Sequence, residues 1–121
     1  MINSVHRPYT RSERVGDELR NILANMFIAH IHIPESGLLT VTNVKVTSDL
    51  RTAKIYISFL GNKKTTDDLM NSLIGKKQLI RHFVGLELQL KYIPDLRFYY
   101  DDTMENAERI DKLINIIHQD D

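Results

Sequence analysis

Gly75-Lys76-Lys77-Gln78 lies between two amphipathic stretches, with Arg81 near one helical turn further on. A helix start offers free N–H groups and partial positive charge, so two lysines there make a natural cradle for a phosphate. The plainer explanation is a solvated basic turn. Tyr56, Tyr92, Tyr99 and Tyr100 have the ring faces needed to stack on bases or riboses. For Tyr100, which shares a strand face with Leu96 and Phe98, core packing explains the residue better. Catalytic chemistry finds less to work with. His30 and His32 are two apart, whereas a helical metal pair needs a spacing of four. His6, His82 and His118 are isolated, and all five histidines read as structural. Asp101-Asp102 could hold a cation, but helix capping accounts for Asp102. The serines sit in no nucleophile elbow, and the glycines form no nucleotide loop. No catalytic residue, metal site, cofactor or small-molecule substrate is therefore expected.

The elements that must carry these residues follow from periodicity. Thr10-Arg11-Ser12-Glu13 fits a capping box, and Val15, Leu19, Ile22, Leu23, Met26 and Phe27 then recur at helical spacing until before Pro34. Leu38 to Thr47 reads as a strand with Val44 and Val46 on one side and Asn43 and Lys45 on the other. In Lys54 to Leu60, Ala53, Ile55, Ile57 and Phe59 point one way and Lys54, Tyr56 and Ser58 the other. Thr65 or Thr66 caps a helix through Leu69, Leu73 and Ile74, and a second helix carries Leu79, Ile80, Phe83, Val84 and Leu86. Glycine within a helix costs about 1 kcal/mol against alanine, so a break is expected near Gly75. Pro94 opens a third strand. Asp102-Thr103-Met104-Glu105 caps a last helix with Met104, Ala107, Ile110, Ile114 and Ile117 in one stripe. The order α-β-β-α-α-β-α describes an α+β domain, a three-stranded sheet with helices on one face and water on the other.

Size and composition agree with this. The 121 residues suit one domain, taken as 1–121 with loose ends at 1–9 and 119–121, burying about two-thirds of its unfolded surface. Cysteine is absent, which excludes disulfides and thiol chemistry. The longest apolar stretch, residues 28–33, is broken by His30 and His32 and falls short of the roughly 20 residues a membrane span needs. A soluble cytoplasmic monomer is the simplest expectation. The 16 basic and 16 acidic residues cancel overall, yet they are segregated. Residues 41–97 hold ten lysines and arginines against five acids, while residues 98–121 hold two against seven. Such segregation gives a chain two electrostatic faces, or is ordinary scatter of surface charge; charge alone does not favour either.

Helix-strand-strand-helix-helix-strand with a loop between the paired helices resembles a type II KH fold, whose G-x-x-G loop clamps single-stranded backbone. Three longer stretches resemble the ribosome-binding factor A family. They are Arg14-Val15-Gly16-Asp17-Glu18-Leu19; Val44 to Ser58, similar to that family's S-x-D-L-x-x-A-x-V-Y-V; and Tyr92 to Asp101, similar to its P-E-L-x-F-x-x-D. They stand in the right order between about Arg11 and Ile117. The resemblance implies a KH-like domain that binds free, immature 30S subunits and 16S rRNA near the neck and decoding region. It also implies a role in late rRNA maturation and in growth in the cold, with no enzyme activity and no cofactor. The family's A-x-G kink falls here on Lys76-Lys77-Gln78. The break is accordingly expected at Gly75, with both lysines in an RNA-facing loop formed by Gly75, Lys76, Lys77 and Gln78.

Arg11, Arg14, Lys45, Arg51, Lys54, Lys76, Lys77, Arg81 and Lys91 are the expected RNA contacts. The acidic last helix should face away from RNA. Two rivals make different claims. A KH-like or ferredoxin-like protein-interaction module would associate without sensitivity to salt. A small hydrolase using Asp101, Asp102 and a histidine would need metal.

Overall fold

Thr10 starts the first helix as its sequence suggests, its hydroxyl accepting from the Glu13 N–H at 3.2 Å. In the computed structural model, which describes residues 8–103, that helix is α1 (Arg11–Ala29). It is followed by β1 (Leu38–Val46), β2 (Thr52–Leu60), α2 (Thr66–Gly75), α3 (Lys77–Glu87) and β3 (Asp95–Tyr100). The last helix expected from Met104 and the chain ends 1–7 and 119–121 lie outside the described residues.

After α1 the chain runs on with Ile31 and Ile33 buried and His30 and His32 exposed. His30 lies flat on the Phe83 ring of α3, centroids 5.1 Å apart, which ties the end of α1 to α3. Gly37 then turns the chain into β1 with φ at +65°, a conformation that costs an L-residue with a Cβ.

The sheet order is β1-β2-β3, with β2 in the centre, antiparallel to β1 and parallel to β3. A bulge between Val41 and Asn43 shifts the phase of β1. Leu39 and Val41 face the core before it, and Val44 and Val46 after it. The Thr42 hydroxyl, at the bulge, donates to the Asp101 carboxylate at 2.6 Å. On β2, Ala53, Ile55 and Ile57 are wholly buried, as strict alternation requires.

One core collects the inward faces. Leu19 and Leu23 of α1, Leu69 and Leu73 of α2, Ile80 and Val84 of α3, and Leu96 of β3 have no exposed surface, and they pack with the β2 residues. Gly16 lets α1 lie close to β1, where an added Cβ would come within 3.3 Å of the Val44 carbonyl oxygen. The helices therefore cover one side of the sheet, and the polar side chains of alternate positions form its other side. This is the α+β arrangement that the pattern implies.

Gly37 and Gly61 both have positive φ, but their surroundings differ. A Cβ on Gly37 would lie 2.1 Å from the Leu60 carbonyl oxygen, and one on Gly61 would meet nothing within 4 Å. Gly61→Ala should cost about 1–2 kcal/mol from backbone conformation alone. Gly37→Ala should cost clearly more, because backbone must also move. Urea unfolding of the two variants checks the order.

Candidate nucleic-acid interface

Parallel pairing sets Thr52 opposite Asp95, so the segment entering β3 arrives beside the turn between β1 and β2. The Asp95 N–H donates to the Arg51 carbonyl at 2.8 Å. The turn itself is a clamp. Asp49 Oδ1 accepts from the Thr47 hydroxyl at 2.6 Å and from the Arg51 N–H at 3.1 Å. Leu50 is held at φ +62°, a strained value for a leucine, and its N–H donates to the Thr47 carbonyl at 2.8 Å. The hydrogen bonds from Thr47 and the Arg51 N–H hold the Asp49 carboxyl below its ordinary value.

The result is a concave site of about 510 Å³ built from three distant parts of the chain. Arg11 comes from the first turn of α1, Asp49 and Arg51 from the turn, and Lys91 and Tyr92 from the segment before β3, over apolar Leu50, Leu90 and Ile93. Arg11, Arg51 and Lys91 are exposed at its rim, and the Lys91 ammonium sits 5.5 Å from the Tyr92 ring centroid. Arg14 is also exposed, one helical turn along from Arg11.

Lys45 and Lys54 lie on the open side of the sheet. The register places Lys45 beside Lys54 and Lys54 beside Arg97, a cation from each strand in one row. The next row is Asn43, Tyr56 and Tyr99. All three cations are exposed. Arg97 was absent from the expected contacts, although the inward Leu96 and Phe98 on either side of it imply that it points out.

The helix pair is interrupted at Lys76, with φ −98° and ψ 9°, while Gly75 remains the last residue of α2. Lys76 is half-buried and Gln78 exposed. Lys77 and Arg81, expected as phosphate contacts from a loop, lie in the first turns of α3, partly exposed and each with a partner in the fold. The Lys77 ammonium binds Asp95 Oδ1 at 3.0 Å, and Arg81 Nη1 donates to the Pro94 carbonyl at 2.9 Å. The reason is geometric: α3 begins directly after the break, so its first turn projects onto the start of β3. Asp95 also accepts from Arg97 Nε at 3.1 Å, and Lys77 first, then Arg97, holds its carboxyl below the usual range.

Asp101 is engaged too, accepting from the hydroxyls of Thr103 and Thr42, each at 2.6 Å. Half of the capping box over residues 102–105, Met104 and Glu105, falls outside the described residues. Among the described residues, no group of three His, Asp or Glu side chains comes together as a metal site would require. None of the described helices is long and apolar enough to cross a membrane.

Two antiparallel strands, a helix pair broken at a basic step and a returning parallel strand define a KH-like α+β module. A model of the ribosome-binding factor A family matches residues 11–114. The ribosome-binding factor A of Staphylococcus carnosus is 36% identical over 111 residues, covering 92% of this chain and 96% of that one. The crystal structure of ribosome-binding factor A from Thermus thermophilus superposes with a TM-score of 0.65 at 18% identity, covering 74% of this chain and 93% of its own. A homology model of the Thermus thermophilus factor, fitted into the cryo-EM map of its complex with 30S, gives 0.63 at 17% identity, covering 76% of this chain and 96% of its own. At these identities the two structures speak for the fold. The chain belongs to the ribosome-binding factor A family.

Two outcomes test this geometry. Asp49→Ala should raise amide hydrogen exchange across Thr47–Thr52, whereas Asp49→Asn, which keeps the acceptor oxygen, should not. For Asp95, the stabilisation by Lys77 and Arg97 is fully present above the ordinary carboxyl value of about 3.9 and is lost as pH falls through the lowered folded value. Lys77→Met should move the Asp95 carboxyl titration, followed by NMR, back up toward the ordinary value.

Proposed function

We propose that this chain is a ribosome assembly factor that binds free, immature 30S subunits through 16S rRNA and promotes late rRNA maturation by binding alone. It acts as a cytoplasmic monomer and needs no cofactor. The observation that carries this reading is the meeting of Arg11, Arg51 and Lys91 at one concave end of the sheet. The acids beside them, Asp49 and Asp95, are engaged in hydrogen bonds of the fold. Exposed cations with their neighbouring carboxylates occupied elsewhere attract phosphates and release counterions. Family membership supports the choice of partner, as does the 30S complex of the Thermus thermophilus factor.

Lys76, Arg14, Lys45 and Lys54 extend the same electropositive surface. Lys77 and Arg81 contribute by fixing α3 against the start of β3, so their replacement disturbs the surface indirectly.

Co-sedimentation of the protein with free small subunits across a salt series tests the proposal. Affinity should fall steeply with salt. Arg51→Glu and Lys91→Glu should each weaken association and reduce the salt slope by about 1. Lys63→Glu, beyond the opposite end of β2, should leave both unchanged. Salt-insensitive association, or equal losses from all three reversals, would contradict a phosphate-led interface and favour docking on a ribosomal protein.

A further inference from the structure

The open side of the sheet carries more than charge. Tyr56 and Tyr99 stand on adjacent strands with their rings stacked, centroids 5.6 Å apart and planes at 29°. The Lys45 ammonium lies 5.9 Å from the Tyr56 centroid. Tyr99, on the edge strand, is 40% exposed. One row along the strands, about 7 Å away, Lys45, Lys54 and Arg97 form the cation row. The two carboxylates bordering this face are occupied: Asp95 by Lys77 and Arg97, Asp101 by Thr42 and Thr103.

We propose that this face holds an unpaired RNA strand, with a base stacked on the Tyr99–Tyr56 column and its phosphates on Lys45 and Lys54 of the cation row. This surface is separate from the helix break and rests on the reading of the chain as an RNA-binding protein. An exposed aromatic ring beside a row of cations is of use to a ligand that brings both a π-face and a negative backbone. A duplex keeps its base faces stacked internally and cannot use the tyrosines. An acidic peptide would answer the cations and leave the ring column without a role. The spacing suits one nucleotide reaching from the aromatic row to the cation row.

Binding of the full chain to a short mixed-sequence single-stranded oligoribonucleotide, and to the same sequence as a duplex, tests this by fluorescence anisotropy. The single strand should bind more tightly. The double variant Tyr56→Leu with Tyr99→Leu should weaken single-strand binding about tenfold or more while changing duplex binding little. Tyr56→Phe with Tyr99→Phe, which keeps the rings, should bind as the parent does. In the unaltered protein, the Tyr99 ring protons should shift upfield when the oligonucleotide is added, a readout independent of how well the leucine variant folds. The proposal is overturned if the leucine pair binds like the parent, if the phenylalanine pair is as weak as the leucine pair, or if the Tyr99 signals stay in place. Small-subunit association without single-strand binding would remove this inference alone. Loss of both would remove the proposed function with it.

Discussion

Thr52 lies opposite Asp95 in a parallel ladder, and that pairing decides which loops share an end of the molecule. An antiparallel β3 would enter the sheet at the far end of β2, and Lys91 and Tyr92 would then sit near Gly61. Parallel pairing also demands a crossover, which α2 and α3 provide. The break at Lys76 divides that crossover into two helices, each presenting an apolar face to the sheet. Arg11 reaches the same end because α1 packs along β1, with Gly16 close to Val44 and Val46. One backbone register thus gathers cations that the chain spaces eighty residues apart.

The division of labour among charges follows from that geometry. Asp49 and Asp95 both lie in the basic end, and each carboxylate serves the fold, Asp49 by closing the Thr47–Thr52 turn and Asp95 by joining α3 to β3. Such exposed pairs add little stability individually. Their larger effect is local: Lys77 and Arg97 offset the charge of Asp95, and Asp49 is fixed within the turn. The cations that remain at the surface then act in a common direction, which a net charge of zero for the whole chain conceals.

Much of this could be read from the residues. The Thr10 cap, the Ala53-Ile55-Ile57 alternation and the Leu96/Phe98 face depend on local periodicity, and local periodicity is written along the chain. The open sheet face was legible for the same reason, through Lys54 and Tyr56. Strand direction was not, because β3 has the same alternation whichever way it runs. The bulge at Thr42 was not, since it answers to Asp101, 59 residues away. The partners of Lys77 and Arg81, Asp95 and Pro94, were unreadable for a related reason: only the crossover brings them together. Leu50 was also unreadable, because nothing in a leucine announces a positive φ.

In the proposed reading the basic end of the sheet, and not the opposite end, meets RNA first. Titration of isotope-labelled protein with an rRNA fragment, followed by amide chemical shifts, tests it most directly. Perturbations should concentrate on Arg11 to Arg14, Lys45 to Lys54 and Lys91 to Tyr99. Shifts centred instead on Gly37, Leu60 and Gly61, with those segments unmoved, would contradict it.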